Sequence, residues 1–200
     1  MRQRLHHGGD KLTELVPARI PSFGIGTPVI FPRMFTSTEC DAMDAAFANT
    51  ESHDGPVMFE TVSQRVCGVR YLEIELLPTR VHGALTELLP AIDKYYGFAL
   101  SGEFEHCQHC TYAENGRTDW HMDVGYEETE ARKLTVVVQL SESPAYDGGE
   151  LEFFPGHTPA FSRLRGTVIV FPPFLVHRVT PVTRGKRSTM VTWLHGPKFR

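Results

Sequence analysis

The sequence predicts an α+β fold, mainly β: a sandwich or jelly roll of short strands with N-terminal helices packed on one sheet. Three observations carry this. Two segments before Gly97 place apolar residues at helical intervals. About eight short strand candidates follow Gly97, each bounded by turn residues, and helices followed by strands is the α+β order. The 200 residues suit one hydrophobic core better than two.

Residues 1–22 read as an irregular lead-in, because Pro17 and Pro21 break any helix. Residues 26–35 (GTPVIFPRMF) read as a strand. Thr36-Ser37-Thr38-Glu39 has capping-box spacing ahead of Cys40, Met43 and Phe47, which predicts a helix over 37–49. Residues 50–64 read as a mobile loop with some strand, and 50–70 as a candidate lid. A second helix is predicted over 79–96, with Val81, Leu85, Leu88, Leu89, Ile92 and Tyr95 as its apolar stripe. Strands are then predicted over 102–113, 119–124, 132–141, 150–154, 159–161, 166–171, 174–179 and 187–195. Between them stand turn signals such as Glu114-Asn115-Gly116, Pro155-Gly156 and Pro172-Pro173. Asp147-Gly148-Gly149 reads as structural, a tight strand entry at positive φ. With no internal repeat and no linker, the chain is expected to be a single domain over 1–200. Its supporting strand and helices occupy 26–96, and its core about 100–197.

The composition, 41% apolar and 22% charged, is that of a globular chain. A net charge of −4 gives no basic excess, so a nucleic-acid partner is not expected. No run approaches the length of a membrane span, and the start MRQRLHHGGD lacks the apolar stretch of a signal peptide. The expected setting is cytoplasmic, without a membrane partner, and with Cys40, Cys67, Cys107 and Cys110 reduced. Ten histidines invite a search for a metal site.

His121-Met122-Asp123 falls in a predicted strand. Residues two apart on a strand share a face, so His121 and Asp123 can converge on one ion. Alone, this spacing arises often as a surface pair flanking a turn. His177 is the candidate third ligand, since an imidazole is out of place in the apolar run FLVHRV, although a core histidine bonded to backbone is its rival reading. Two imidazoles and one carboxylate on a face would leave open positions and suit non-haem iron(II), whereas zinc favours a tetrahedral site with one opening. Arg187 lies ten residues after His177, beyond TPVTRGK, and is expected on the neighbouring strand with its guanidinium inside the barrel. A buried arginine needs a carboxylate, and its planar fork suits a bidentate one. Arg184 and Lys186 read as exposed.

The segments YAENGRTDWHMD (112–123), YDGGELEFF (146–154) and GTVIVFPPFLVHRVTPVTRGKRSTMVTWLHGP (166–197) resemble the prolyl-4-hydroxylase-like branch of the 2-oxoglutarate/iron(II) dioxygenases, in the manner of its small bacterial hydroxylases. The resemblance covers roughly 100–197 and more loosely 26–49. It implies a double-stranded β-helix with His121, Asp123 and His177 holding Fe(II) at its open end. It implies Arg187 binding the C5 carboxylate of 2-oxoglutarate, and Tyr112 bordering that cosubstrate. O2 is the second cosubstrate, and ascorbate a candidate reductant. The implied reaction hydroxylates an unactivated C–H bond, coupled to decarboxylation of 2-oxoglutarate to succinate and CO2. The substrate would be a prolyl residue, or a free amino acid or other small metabolite.

Other residues keep two readings. Tyr112 and Trp193 would line the pocket or simply fill the core. Thr189 shares the face of Arg187 and would add a hydrogen bond to the cosubstrate, or is merely a β-former. Gln139 is a candidate replacement for a hydroxyl donor to the cosubstrate. Gln108, Cys110 and Tyr112 alternate onto one face, which makes Gln108 a substrate contact if Tyr112 points inward and a solvated edge residue if not. Cys107 and Cys110 sit three apart in a strand and so face opposite ways, which argues against a zinc pair. Arg65, Arg70 and Arg80 read as a solvated face, with an acidic substrate as the alternative. Asp123 stands where related halogenases carry Gly or Ala, which favours hydroxylation. Trp193 stands where the superfamily's base demethylases carry a second arginine, which argues against nucleic-acid repair. The rival to an enzyme is a jelly-roll module that binds metal or ligand without catalysis.

Overall fold

The computed structural model describes residues 26–54 and 65–199. In chain order the elements are β1 (Val29–Phe31), α1 (Ser37–Ala46), β2 (His53–Asp54), β3 (Arg65–Val66), β4 (Gly68–Leu72), α2 (Thr79–Tyr96), β5 (Cys107–Tyr112), β6 (Arg117–His121), β7 (Arg132–Gln139), β8 (Tyr146–Gly148), β9 (Leu151–Phe153), β10 (Val168–Phe171), β11 (His177–Val179), β12 (Val182–Gly185) and β13 (Arg187–His195). A seven-stranded sheet runs β1-β10-β7-β13-β5-β4-β2. A four-stranded sheet runs β3-β6-β11-β9, and β12-β8 forms a small third sheet. All strand pairs are antiparallel.

The larger sheet owes its two different faces to strand periodicity. Along β7, Leu134, Val136 and Val138 point to the helices, and Met190 and Leu194 of β13 join them. Helix α2 lays Val81, Leu85, Leu88 and Ile92 on this face, each buried, and each such side chain contributes about 1.5–3 kcal/mol. Its stripe ends on buried Tyr96, which 3.6 residues per turn carry inward, while the expected Leu89 and Tyr95 are partly buried and pack against the same core. Gly97 then closes the helix with φ +65, a left-handed conformation that costs glycine little. Helix α1 starts with the anticipated capping box: the Thr36 hydroxyl accepts from the Glu39 N–H, and the Glu39 carboxylate accepts from the Thr36 N–H. Such a cap contributes about 1 kcal/mol. The opposite face packs Val137, Ile169 and Phe171 against Leu151 and Phe153 of the smaller sheet.

Several expected strands differ. Residues 159–161 form a turn, and 174–176 precede β11 rather than belonging to it. The run TPVTRGK is not a plain turn, since it contains β12, paired to β8. Arg187 therefore does not lie on the strand beside His177: between them the chain crosses from the four-stranded sheet to the seven-stranded one. Residues 65–70 of the candidate lid belong largely to β3 and β4. Residues 55–64, like the lead-in 1–22, lie outside the described residues. Asp147-Gly148-Gly149 is structural, as read: φ is +70 and +61 at the two glycines. A Cβ on Gly149 would stand 3.0 Å from Cδ of Arg187, so this glycine makes room for that side chain. Among the described residues no helix is long and apolar enough to cross a membrane.

Candidate active site

His121 is the last residue of β6 and His177 the first of β11, and the register sets them directly opposite one another. Their rings lie 4.2 Å apart between centroids. Each ring is oriented by backbone: Nδ1 of His121 lies 2.8 Å from the Asp119 carbonyl, and Nδ1 of His177 lies 2.8 Å from the Leu175 carbonyl. A carbonyl only accepts, so each Nδ1 carries the proton and donates it. Both Nε2 atoms are thereby left with lone pairs to offer.

Asp123 lies beyond the end of β6, not within the strand as the sequence suggested. It reaches the same point because other groups hold it. Its N–H donates to the Pro173 carbonyl at 2.8 Å, and its own carbonyl accepts from Arg132 Nη1 at 2.9 Å. Its Oδ2 accepts from the Thr135 hydroxyl at 2.7 Å. The carboxylate stands 3.4 Å from His121 Nε2 and 3.6 Å from His177 Nε2. All three ligand atoms fall within 4.8 Å of one another, the one such cluster among the described residues. Burial would push the Asp123 carboxyl up, but attraction to His177 and His121 and the hydrogen bond from Thr135 outweigh it and hold the group well below the usual range. Burial pushes the His177 imidazole down, toward the neutral form a metal needs. His121 is also desolvated, yet Asp123 beside it raises its pKa. Two oriented imidazoles and one carboxylate held toward its ionised form fit an iron(II) ion and leave an open face.

The triad opens into a cavity of about 330 Å3. Its far wall is β13 paired with β5. Arg187 is opposite Tyr112, Thr189 opposite Cys110 and Val191 opposite Gln108, and all six line the cavity. Tyr112, Thr189, Gln108 and Trp193 thus lie where the sequence suggested. Arg187 is 3% exposed, with its guanidinium 5.5 Å from the Tyr112 ring centre. Among the described residues it has no carboxylate partner. A buried guanidinium without an anion is costly by several kcal/mol, so the site calls for a ligand that brings one.

Gln139 does not line the cavity. It shares the inward face of β7, but its Nε2 donates to the Ser141 carbonyl and to the Tyr146 hydroxyl, and fully buried Tyr146 shuts it off. Sequence reasoning missed Arg132, Glu105 and Thr135. Arg132 donates to both Glu105 carboxylate oxygens at 2.7 Å, and its guanidinium carbon stands 3.8 Å from the Trp193 ring centre. A polar residue on the inward parity of an apolar strand, as Thr135 is, was the available signal. Arg65 also corrects an expectation: it lines the cavity, whereas Arg80 is exposed beside Glu39. Cys107 and Cys110 face opposite ways as predicted, Cys107 into the helix-covered core and Cys110 into the cavity.

A family model described as the 2OG-Fe(II) oxygenase superfamily matches residues 107–195, a stretch that holds the triad and Arg187. A PKHD-type hydroxylase of Acidovorax ebreus is 34% identical over 90 residues, covering 42% of this chain and 40% of that protein. One from Bordetella pertussis is 28% identical over 169 residues, covering 80% of this chain and 75% of the relative. Among solved structures, a Pseudomonas putida prolyl-4-hydroxylase superposes with a TM-score of 0.67 at 19% identity, over 86% of this chain and 94% of the other. A viral collagen prolyl hydroxylase from Paramecium bursaria Chlorella virus-1 gives 0.60 at 18% identity, over 85% and 96%. These likenesses agree with the double-stranded β-helix expected from the sequence.

Proposed function

We propose that this chain, which resembles the 2OG-Fe(II) oxygenase superfamily over residues 107–195, hydroxylates an unactivated C–H bond of a prolyl residue or a free amino acid, with 2-oxoglutarate converted to succinate and CO2. One observation carries the reading: a buried arginine without a described carboxylate partner shares a cavity with a ligand-ready His-Asp-His triad. A jelly-roll module that binds metal alone would have no use for that arginine, and the similarity to hydroxylases disfavours a module that binds metal or ligand without catalysis.

His121, Asp123 and His177 would hold the iron. When bound, the metal supplies O2 activation and oxidising power that no side chain has. The remaining work belongs to the chain. Arg187 receives the distal carboxylate of 2-oxoglutarate in a bidentate, charge-assisted contact. Tyr112 and Thr189 flank that carboxylate, and the Tyr112 and Thr118 hydroxyls hold each other at 3.2 Å. Thr135 and Arg132 fix Asp123, and Val137, Leu151, Val179 and Val191 keep the cavity walls apolar. Gln108 and Trp193 border the space left for substrate.

The substrate is read as a small molecule or a short peptide, with neither nucleic acid nor membrane as partner. The acidic charge and Trp193, in place of a second arginine, support this. Unpaired thiols at all four cysteines support a reducing, cytoplasmic setting, and ascorbate as reductant follows the family resemblance. A single catalytic unit over the whole chain is proposed on the same footing. The test is succinate release with Fe(II), 2-oxoglutarate and pools of amino acids, peptides and cell extract, with products one oxygen heavier sought by mass spectrometry. Absence of both 2-oxoglutarate binding and succinate release would overturn the proposal.

A further inference from the structure

One thiol of the cavity wall, Cys110, and a second close to it, Cys67, take no part in the oxygenase reaction. Cys67 lies at the bend between β3 and β4, and Cys110 on β5, where it faces Val69 across the ladder. The two sulfurs share one cationic partner. Arg65 bridges them: its Nε donates to Cys67 Sγ at 3.1 Å and its Nη2 to Cys110 Sγ at 2.7 Å. The same guanidinium donates to Gln108 Oε1 at 3.3 Å. Cys110, Arg65 and Gln108 all line the cavity, so the sulfur of Cys110, a residue only 1% exposed, borders a space that a small solute can enter.

We infer that Cys67 and Cys110 are an oxidisable pair, in which Cys110 reacts with a hydroperoxide and Cys67 resolves the product to a disulfide. The chemistry follows from the arrangement. A guanidinium against a sulfur stabilises thiolate, and thiolate is the nucleophile. The neighbouring Cys67 and Arg65 lower the Cys110 pKa despite burial, while Cys110 and burial raise that of Cys67. The guanidinium thus favours the thiolate at the cavity-facing sulfur. Cys110 thiolate attacks the O–O bond of hydrogen peroxide, forming a sulfenic acid and releasing hydroxide. Cys67 gives up its proton and attacks the sulfenic sulfur, and the hydroxyl leaves as water. The two thiols are oxidised, and one peroxide is reduced to two waters. Neither iron nor 2-oxoglutarate takes part. The bridge would remove the charged acceptor from Arg65 in the cavity wall, changing the polarity of the substrate side.

The other thiols provide an internal contrast. Cys40 and Cys107 are 0% exposed in the helix-covered core, and burial pushes them up to about 11 and about 12. The experiment treats the reduced full chain, free of iron, with a small excess of hydrogen peroxide. Remaining thiols are then alkylated under denaturing conditions and the peptides mapped. The expected product joins the Cys67 and Cys110 peptides, lighter by two hydrogens, with Cys40 and Cys107 alkylated. In Cys67→Ser the bridge should be absent and Cys110 should label with dimedone. Arg65→Leu should slow Cys110 oxidation about ten-fold, following the loss of thiolate. Oxidation of Cys40 or Cys107 before the pair, or an unchanged Cys110 product in Cys67→Ser, would overturn the inference. Because no turnover is measured, these outcomes are independent of the hydroxylase reading.

Discussion

The two faces of the seven-stranded sheet are built from the same strands and do opposite things. On β7, Leu134, Val136 and Val138 bury against the helices, while Thr135 and Val137, one residue out of phase, line the cavity. On β13, Met190 and Leu194 belong to the core, while Arg187, Thr189, Val191 and Trp193 face the site. One face is close-packed, apolar and self-sufficient. The other carries a cation with no described counter-ion and ligands aimed at one point. Stability and chemistry are thus separated by parity along single strands, and substitutions one residue apart should report on different properties.

Four predictions set the faces against each other. His121→Ala should lower succinate release by at least about 10^3-fold, since one of three metal ligands is lost and with it the orientation of the open positions. Its melting temperature without metal should stay close to wild type, and a collapse of both would blur the separation. Leu85→Ala, on the helix side, should cost about 3 kcal/mol in denaturant unfolding. The KM for 2-oxoglutarate should not move below the melting point. Arg187→Ala should raise the 2-oxoglutarate requirement about 100-fold, in line with a lost charge-assisted pair of about 2–3 kcal/mol. Iron affinity should stay nearly intact, and unchanged 2-oxoglutarate binding would remove Arg187 from its role. Thr135→Val should be mildest, weakening iron binding about ten-fold by titration, because it strips a hydrogen bond from Asp123 and keeps the shape.

Much of this division could be read in the sequence, where a short-range rule governed it. The α2 stripe and Gly97 cap follow from helical periodicity, and the inward set on β5 follows from alternation. His177 and Arg187 stood out because a polar group in an apolar strand needs a reason. What escaped was non-local. Nothing in TPVTRGK announces that the chain changes sheets between His177 and Arg187. Asp123 looked like a strand residue, but its position depends on Arg132 and Thr135 of the next strand and on distant Pro173, contacts that no local spacing rule announces. Gln139 has the right parity for the site and is excluded only because Tyr146 closes over it. Arg65 seemed solvated because nothing nearby in sequence shows that β3 joins β6 beside the triad.

The tethering of Asp123 has a mechanical consequence. His121 and His177 stand on the smaller sheet, while Asp123 is tied by Thr135 and Arg132 to the larger one. An ion gripped by all three would act as a rivet through the sandwich, resisting any motion that slides or parts its layers. Binding at a hundred times the dissociation constant would then clamp the fold by about 2.7 kcal/mol. The metal-loaded protein would differ from the metal-free one in stiffness across the layers as well as in reactivity.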